Sequence, residues 1–157
     1  MNFQNLYHGI SYINAQKFGY PSASEIISAL MLMQYKNKKV TITELIRNLN
    51  IGSGLITNST NGNLNGGDPY KEFLGKPSNS FENGTYGSYA EPIVNAINKI
   101  VHHMVTNSSN MSEDELYNNI NASKPIIVWL GEKYDTQKEK PVVWKDKLRK
   151  WIWSIKK

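Results

Sequence analysis

The chain has no cysteine among its 157 residues. That absence excludes disulfides, thiolate metal sites and a cysteine nucleophile. Histidine is scarce: only His8, His102 and His103 occur, and nothing beyond Val105 is an imidazole. No apolar run approaches the ~20 residues that span a bilayer. The opening, MNFQNLYHGISYINA, lacks the basic start, apolar core and small-residue cleavage site of a secretory signal, which points to a cytoplasmic product. Excess charge is missing from the body. Residues 145–157 hold six basic side chains against Asp146 and account for the whole net charge of +5. A general nucleic-acid-binding surface is therefore not expected.

Hydrophobic residues make up 39% and charged residues 20% of the chain, the composition of an ordinary soluble protein rather than a disordered one. The length suits one domain over 1–157. Neither an internal repeat nor an interdomain linker is visible. Ser22 and Glu25 have the S-x-x-E spacing of a capping box, and the run behind them, IISALMLM, is apolar nearly all round. A helix near 24–35, buried at the centre of the fold, is expected. Thr41 and Glu44 repeat the box ahead of a helix near 42–50. Pro92 suits the first turn of a helix running to about Met104. Ser112 and Glu115 cap a short helix carrying Leu116 and Ile120. Between them, Gly52 to about Tyr89 is rich in glycine and asparagine and reads as a long unstructured insert, often functional where it occurs. KPIIVWLG (124–131) reads as a buried strand and KPVVW (140–144) as a shorter one. Helices first and strands late predict an α+β fold.

These stretches carry a resemblance. QKFGYPSASEIISALMLMQY is similar to the opening motif of the bacterial papain-like cysteine peptidases of family thirty-nine, relatives of the double-glycine peptidases that trim bacteriocin leaders. Gln16 falls at that family's glutamine, Glu25 at its glutamate and Ser24 at its cysteine, with Ala23 where a glycine is usual. The second block, GGDPYKEFLGKPSNSFENGTYGSYAEPIVNAINKI, aligns Gly67, Asp68, Pro69, Phe73, Gly75, Tyr86, Gly87, Tyr89, Pro92 and Ile93 with the family pattern. KPIIVWL resembles its proline-led strand. The likeness covers about residues 10–131, is strongest to the standalone branch, and makes the long loop a family element.

The resemblance implies a papain-like fold: a central buried N-terminal helix, further helices, and a small C-terminal antiparallel sheet that is incomplete here. It implies Ser24 at the nucleophile position and Gln16 at the oxyanion position, with Gly67, Asp68, Tyr86, Gly87 and Tyr89 beside bound substrate. The family mechanism needs a thiolate at a helix N-terminus, a histidine base on a later strand and an acid to orient it. A hydroxyl at residue 24 needs a base even more, yet no histidine follows Val105. The chain thus reads as a degenerate, C-terminally truncated member: a pseudoenzyme binding an extended peptide or protein ligand. The alternatives are an inactivated variant or fragment of an active peptidase, with Ser24 engineered, natural or still nucleophilic, and a structural or membrane-surface protein. Ser22 is better placed as the helix cap than Ser24.

Other features have plainer readings. His102 and His103 are adjacent, so on a helix they point about 100° apart and cannot ligate one ion as an i, i+4 pair does; they read as a polar helix end. Asn61, Asn63, Asn65, Gly66 and Glu72 sit at calcium-loop positions, but Asn replaces the first Asp and Pro69 interrupts the loop. No metal and no cofactor is expected. In VWKDKLRKWIWSIKK (143–157), Trp144, Leu148, Trp151, Ile152 and Ile155 have the spacing of a basic amphipathic helix over about 144–157. Through 145–157 it would meet an anionic membrane surface or a partner's groove; otherwise it packs on the domain, or forms a strand. A second copy or a partner chain completing the sheet is the other expected association.

Overall fold

The computed structural model describes residues 9–129, together with the backbone of 142–145 and 151–154. Its centre is α1, Ser24–Tyr35, with Ile26, Ile27, Ala29, Leu30, Leu32 and Met33 buried. A helix apolar on every side has no face to offer water, so its neighbours must surround it. It ends in a Schellman motif. Asn37 takes the left-handed conformation (φ 54°), the Lys38 N–H donates to the Met33 carbonyl and the Asn37 N–H to that of Gln34, each at 2.9 Å.

The expected capping box at Ser22 does not form. The N-cap is Ala23, without a side-chain cap, because Glu25 turns inward to a buried partner described below. The two other boxes do form. Thr41 caps α2, Ile42–Asn48, and Ser112 caps α4, Glu113–Asn121, each with its glutamate returning the bond. Hydrogen bonds from the backbone N–H of Thr41, then from its hydroxyl, hold the Glu44 carboxyl below its ordinary range; Ser112 does the same for Glu115. A second Schellman motif, with Ser123 left-handed (φ 57°), ends α4 and sends the chain into Lys124.

Helix α3, Ala90–Ile100, is shorter than expected. The Asn98 side-chain amide accepts from the Val105 N–H at 3.1 Å and donates to its carbonyl at 2.9 Å, which folds residues 101–105 back on the helix. Helices α2 and α3 pack on α1, so that Leu45, Leu49, Ile93, Ala96 and Ile97 share its core with Phe73. Ile127 and Trp129 pack against that core.

The Gly52–Tyr89 region is not the unstructured insert the sequence suggests. Strand β1, Ile51–Gly52, pairs in parallel with β4, Phe73–Leu74. Between them β2, Ile56–Thr57, and β3, Leu64–Asn65, form a hairpin. Strands therefore do not wait until the end of the chain. Nor is the larger sheet purely antiparallel: its order is β2-β3-β5-β6, with β5, Val142–Lys145, parallel to β3 and antiparallel to β6, Trp151–Ser154. The KPVVW expectation is met by β5 from Val142 onward; residues 140–141 lie outside the described residues. The KPIIVWLG expectation is not met over 124–129, which pair with no strand; residues 130–131 lie outside the description. The tail helix is replaced too. Residues 142–145 and 151–154 pair as strands, Trp144 opposite Ile152 and Lys145 opposite Trp151. The helical spacing behind the membrane-surface expectation is not the spacing these residues have; the rest of the tail is outside the description. Among the described residues no helix is long and apolar enough to cross a membrane.

Candidate active-site region at the tip of α1

Ser24 is the first residue of α1 and is exposed. The chain reaches it through consecutive turns in which the carbonyls of Asn14, Ala15 and Gln16 accept from the N–H groups of Phe18 (3.0 Å), Tyr20 (2.9 Å) and Gly19 (3.2 Å). Gln16 is exposed in that approach, and its side chain makes no hydrogen bond with a described residue. The first N–H groups of a helix have no intrahelical acceptor, so Ser24 sits at the positive end of the α1 dipole. Its hydroxyl is 3.4 Å from Glu25 Oε2.

Glu25 ties the two sequence blocks together. Its side chain is 5% exposed, and Oε1 accepts the backbone N–H of Ser88 at 2.7 Å. A short bond from a backbone donor to a buried carboxylate outweighs an exposed cap, which is why Ser22 lost its expected partner. Gly87 makes the approach possible. Its φ is +91°, and a Cβ there would overlap the Glu25 carboxylate. The Gly87 carbonyl accepts from Leu74 at 2.9 Å, and its N–H donates to the Leu74 carbonyl at 3.2 Å. From the other side, Trp129 Nε1 donates to the Ser88 carbonyl at 3.0 Å. The segment Gly87–Ser88 is thus held by β4, α1 and Trp129, and it fixes the first turn of α1. Sequence reasoning missed Ser88 and the contact of Trp129 with it; the glycine and aromatics around Ser88 were the available signal.

The other residues expected at the site fall into two groups. Gly67 and Asp68 build the loop. A Cβ at Gly67 would overlap the Leu74 side chain. The Asp68 carboxylate accepts the Tyr70 N–H at 3.0 Å and lies 3.2 Å from Lys71 Nζ, while its carbonyl accepts from Lys71 and Glu72. Its side chain serves its own turn. Tyr86 is buried, and its hydroxyl is 3.4 Å from that of Tyr89. The Tyr89 ring stacks on Tyr70 at 4.5 Å. Partial burial there pushes the Tyr70 phenol above its ordinary range, with Tyr89 and Asp68 adding to it. Tyr70 and Tyr89 border a groove of about 710 Å³ floored by Leu32, Ile93, Ile97 and Met104 and edged by residues 124–129. Ser24 and Gln16 do not line it.

The histidines among the described residues, His102 and His103, stand apart from Ser24. His102 and His103 are exposed beyond the far end of α3, whereas the near end adjoins Ser88. Eleven helical residues rising 1.5 Å each separate the two ends by ~16 Å. His8 lies outside the described residues. Among the described residues no three metal-ligating acids or histidines cluster, and Asn61 of the calcium-like loop accepts from the Asn63 N–H of its own hairpin.

No curated protein and no solved structure matches the chain. The model of the Peptidase_C39 like family matches residues 9–148, a span that includes both sequence blocks and the Glu25–Ser88 contact joining them. The chain belongs to the Peptidase_C39 like family and is a cysteine peptidase-like domain of α+β, papain-like fold.

Proposed function

We propose that this domain binds extended peptides without cleaving them. The observation that carries the reading is the placement of His102 and His103, the histidines among the described residues, beyond the far end of α3 and away from the hydroxyl at the nucleophile position. A general base must come within about 3.2 Å of the proton it removes, or reach it through one water. An imidazole anchored a helix length away does neither. Glu25 is no substitute: its nearer oxygen is 3.4 Å from the Ser24 hydroxyl, and its other oxygen is held by Ser88. Loss of a triad nucleophile or base costs on the order of 10⁶ in kcat in the best-studied serine case. What supports peptide binding is the family frame, with exposed Ser24 and Gln16 on the approach to α1 and the Tyr86–Tyr89 segment beside it.

The test is hydrolysis of double-glycine and mixed-sequence reporter peptides by the purified chain, with Ser24→Ala as background. The expected result is no difference between the two. Ser24→Cys should react with iodoacetamide, because the position is exposed, and still release no product, because a thiolate alone leaves the departing amine without a proton donor. Hydrolysis abolished by Ser24→Ala, or fluorophosphonate labelling at Ser24, would defeat the proposal.

A further inference from the structure

The backbone beyond α4 points to where and how such a peptide lies. Residues 125–129 read PIIVW. Ile127 and Trp129 pack on the core while Val128 between them is 54% exposed, the two-residue alternation of an extended chain. Yet the backbone N–H groups of Ile126–Trp129 and the C=O groups of 125–129 make no hydrogen bond among the described residues, and the segment pairs with no described strand. Both ends are held: the Lys124 N–H donates to the Asn119 carbonyl at 2.9 Å, and Trp129 Nε1 to Ser88. Partly buried backbone groups need partners, and here they border the groove of about 710 Å³.

From this geometry we propose that an extended acidic peptide adds a strand along residues 125–129, with alternate apolar side chains in the groove. The proposal rests on the peptide-binding reading and supplies its mode. An extended polypeptide fits where a lipid tail or an apolar small molecule does not, because only a polypeptide brings a regular row of donors and acceptors to an unpaired strand. Charge completes the match. Lys36 and Lys124 line the groove and make no ion pair among the described residues, whereas the groove's carboxylate, Glu91, already accepts from the Asn107 amide. An acidic residue or a terminal carboxylate on the peptide answers the two lysines. Trp129 ends the edge beside Ser88, so a peptide on this track runs toward the α1 tip.

The experiment is fluorescence anisotropy of the full chain with a labelled nonapeptide that alternates leucine and threonine and ends in two aspartates. Two further versions carry backbone N-methyl groups at alternate positions, one set on each edge. Expected are saturable binding, a loss of at least tenfold from methylation of one edge only, and a loss of at least fivefold in Lys36→Glu/Lys124→Glu. Amide exchange at Ile126–Trp129 should be fast in the free chain and slowed by the peptide. Binding indifferent to methylation of either edge would reduce the site to a greasy groove. Slow exchange without peptide would mean that the chain already covers its own edge. Absence of binding would defeat the proposal outright. Cleavage of a bound peptide would overturn the non-hydrolytic reading while leaving this binding mode intact.

Discussion

The side chain that decides the local geometry is Glu25 rather than Ser24. It is a buried acid one residue into a helix, and its carboxylate carries the Ser88 N–H across the interior. Glu25→Ala leaves that donor buried without an acceptor, an error that costs about 1–3 kcal/mol. Glu25→Gln keeps a carbonyl oxygen for Ser88 and should lose less; urea denaturation of the pair, compared by midpoint at constant slope, measures the difference. Gly87→Ala attacks the same contact from the opposite side. A left-handed alanine costs about 1–2 kcal/mol by itself, and the added methyl also displaces the carboxylate. The expected loss therefore exceeds ~2 kcal/mol, with a matching drop in Tm. If Gly87→Ala is as stable as the parent, the account of this contact is wrong.

Among the elements, the helices were legible and the short strands were not, for a physical reason. The capping boxes at Thr41 and Ser112 involve partners three residues apart, so the local sequence contains the whole interaction. The box at Ser22 has the same spelling, but its glutamate found a donor 63 residues away, which no local pattern announces. Strands β1 to β4 are two residues each, too short to show a period. Residues 124–129 have the composition of a strand but pair with no strand among the described residues. The family resemblance, by contrast, was readable from motif order alone, while the arrangement of Tyr86, Gly87 and Ser88 around Glu25 required the fold.

The surviving boxes make a pH prediction. Glu44 and Glu115 titrate below their unfolded values in the folded chain, so between those values the unfolded state binds more protons. Their contribution is present above the unfolded carboxylate range, near pH 4.3, and is lost as pH falls through the lowered folded value. Amide protection in the first turns of α2 and α4 should fall with acidification there, and Thr41→Ala should flatten the α2 response. Because both carboxylates are exposed, added salt should weaken the effect. A pH-independent first turn would contradict it.

At the scale of the whole molecule, the proposed function separates the family frame from the family's chemistry. The domain keeps a helix tip aimed at solvent, a clamp that holds the tip and a groove alongside, while His102 and His103 lie beyond the far end of α3. A binding domain can be built from these parts because holding a peptide asks for shape and backbone complementarity, whereas cleaving one asks for a proton acceptor within bonding distance.

The bond from Glu25 to Ser88 also has a temporal side. Closing a loop of 63 residues demands entropy before any contact repays it, and such distant contacts slow folding. During synthesis α1 is complete long before Ser88 exists, so its first turn waits for a partner not yet made. In refolding followed by pulsed amide exchange, the middle of α1 should become protected ahead of Ser88. The geometry around Ser24 is therefore among the last features the chain acquires.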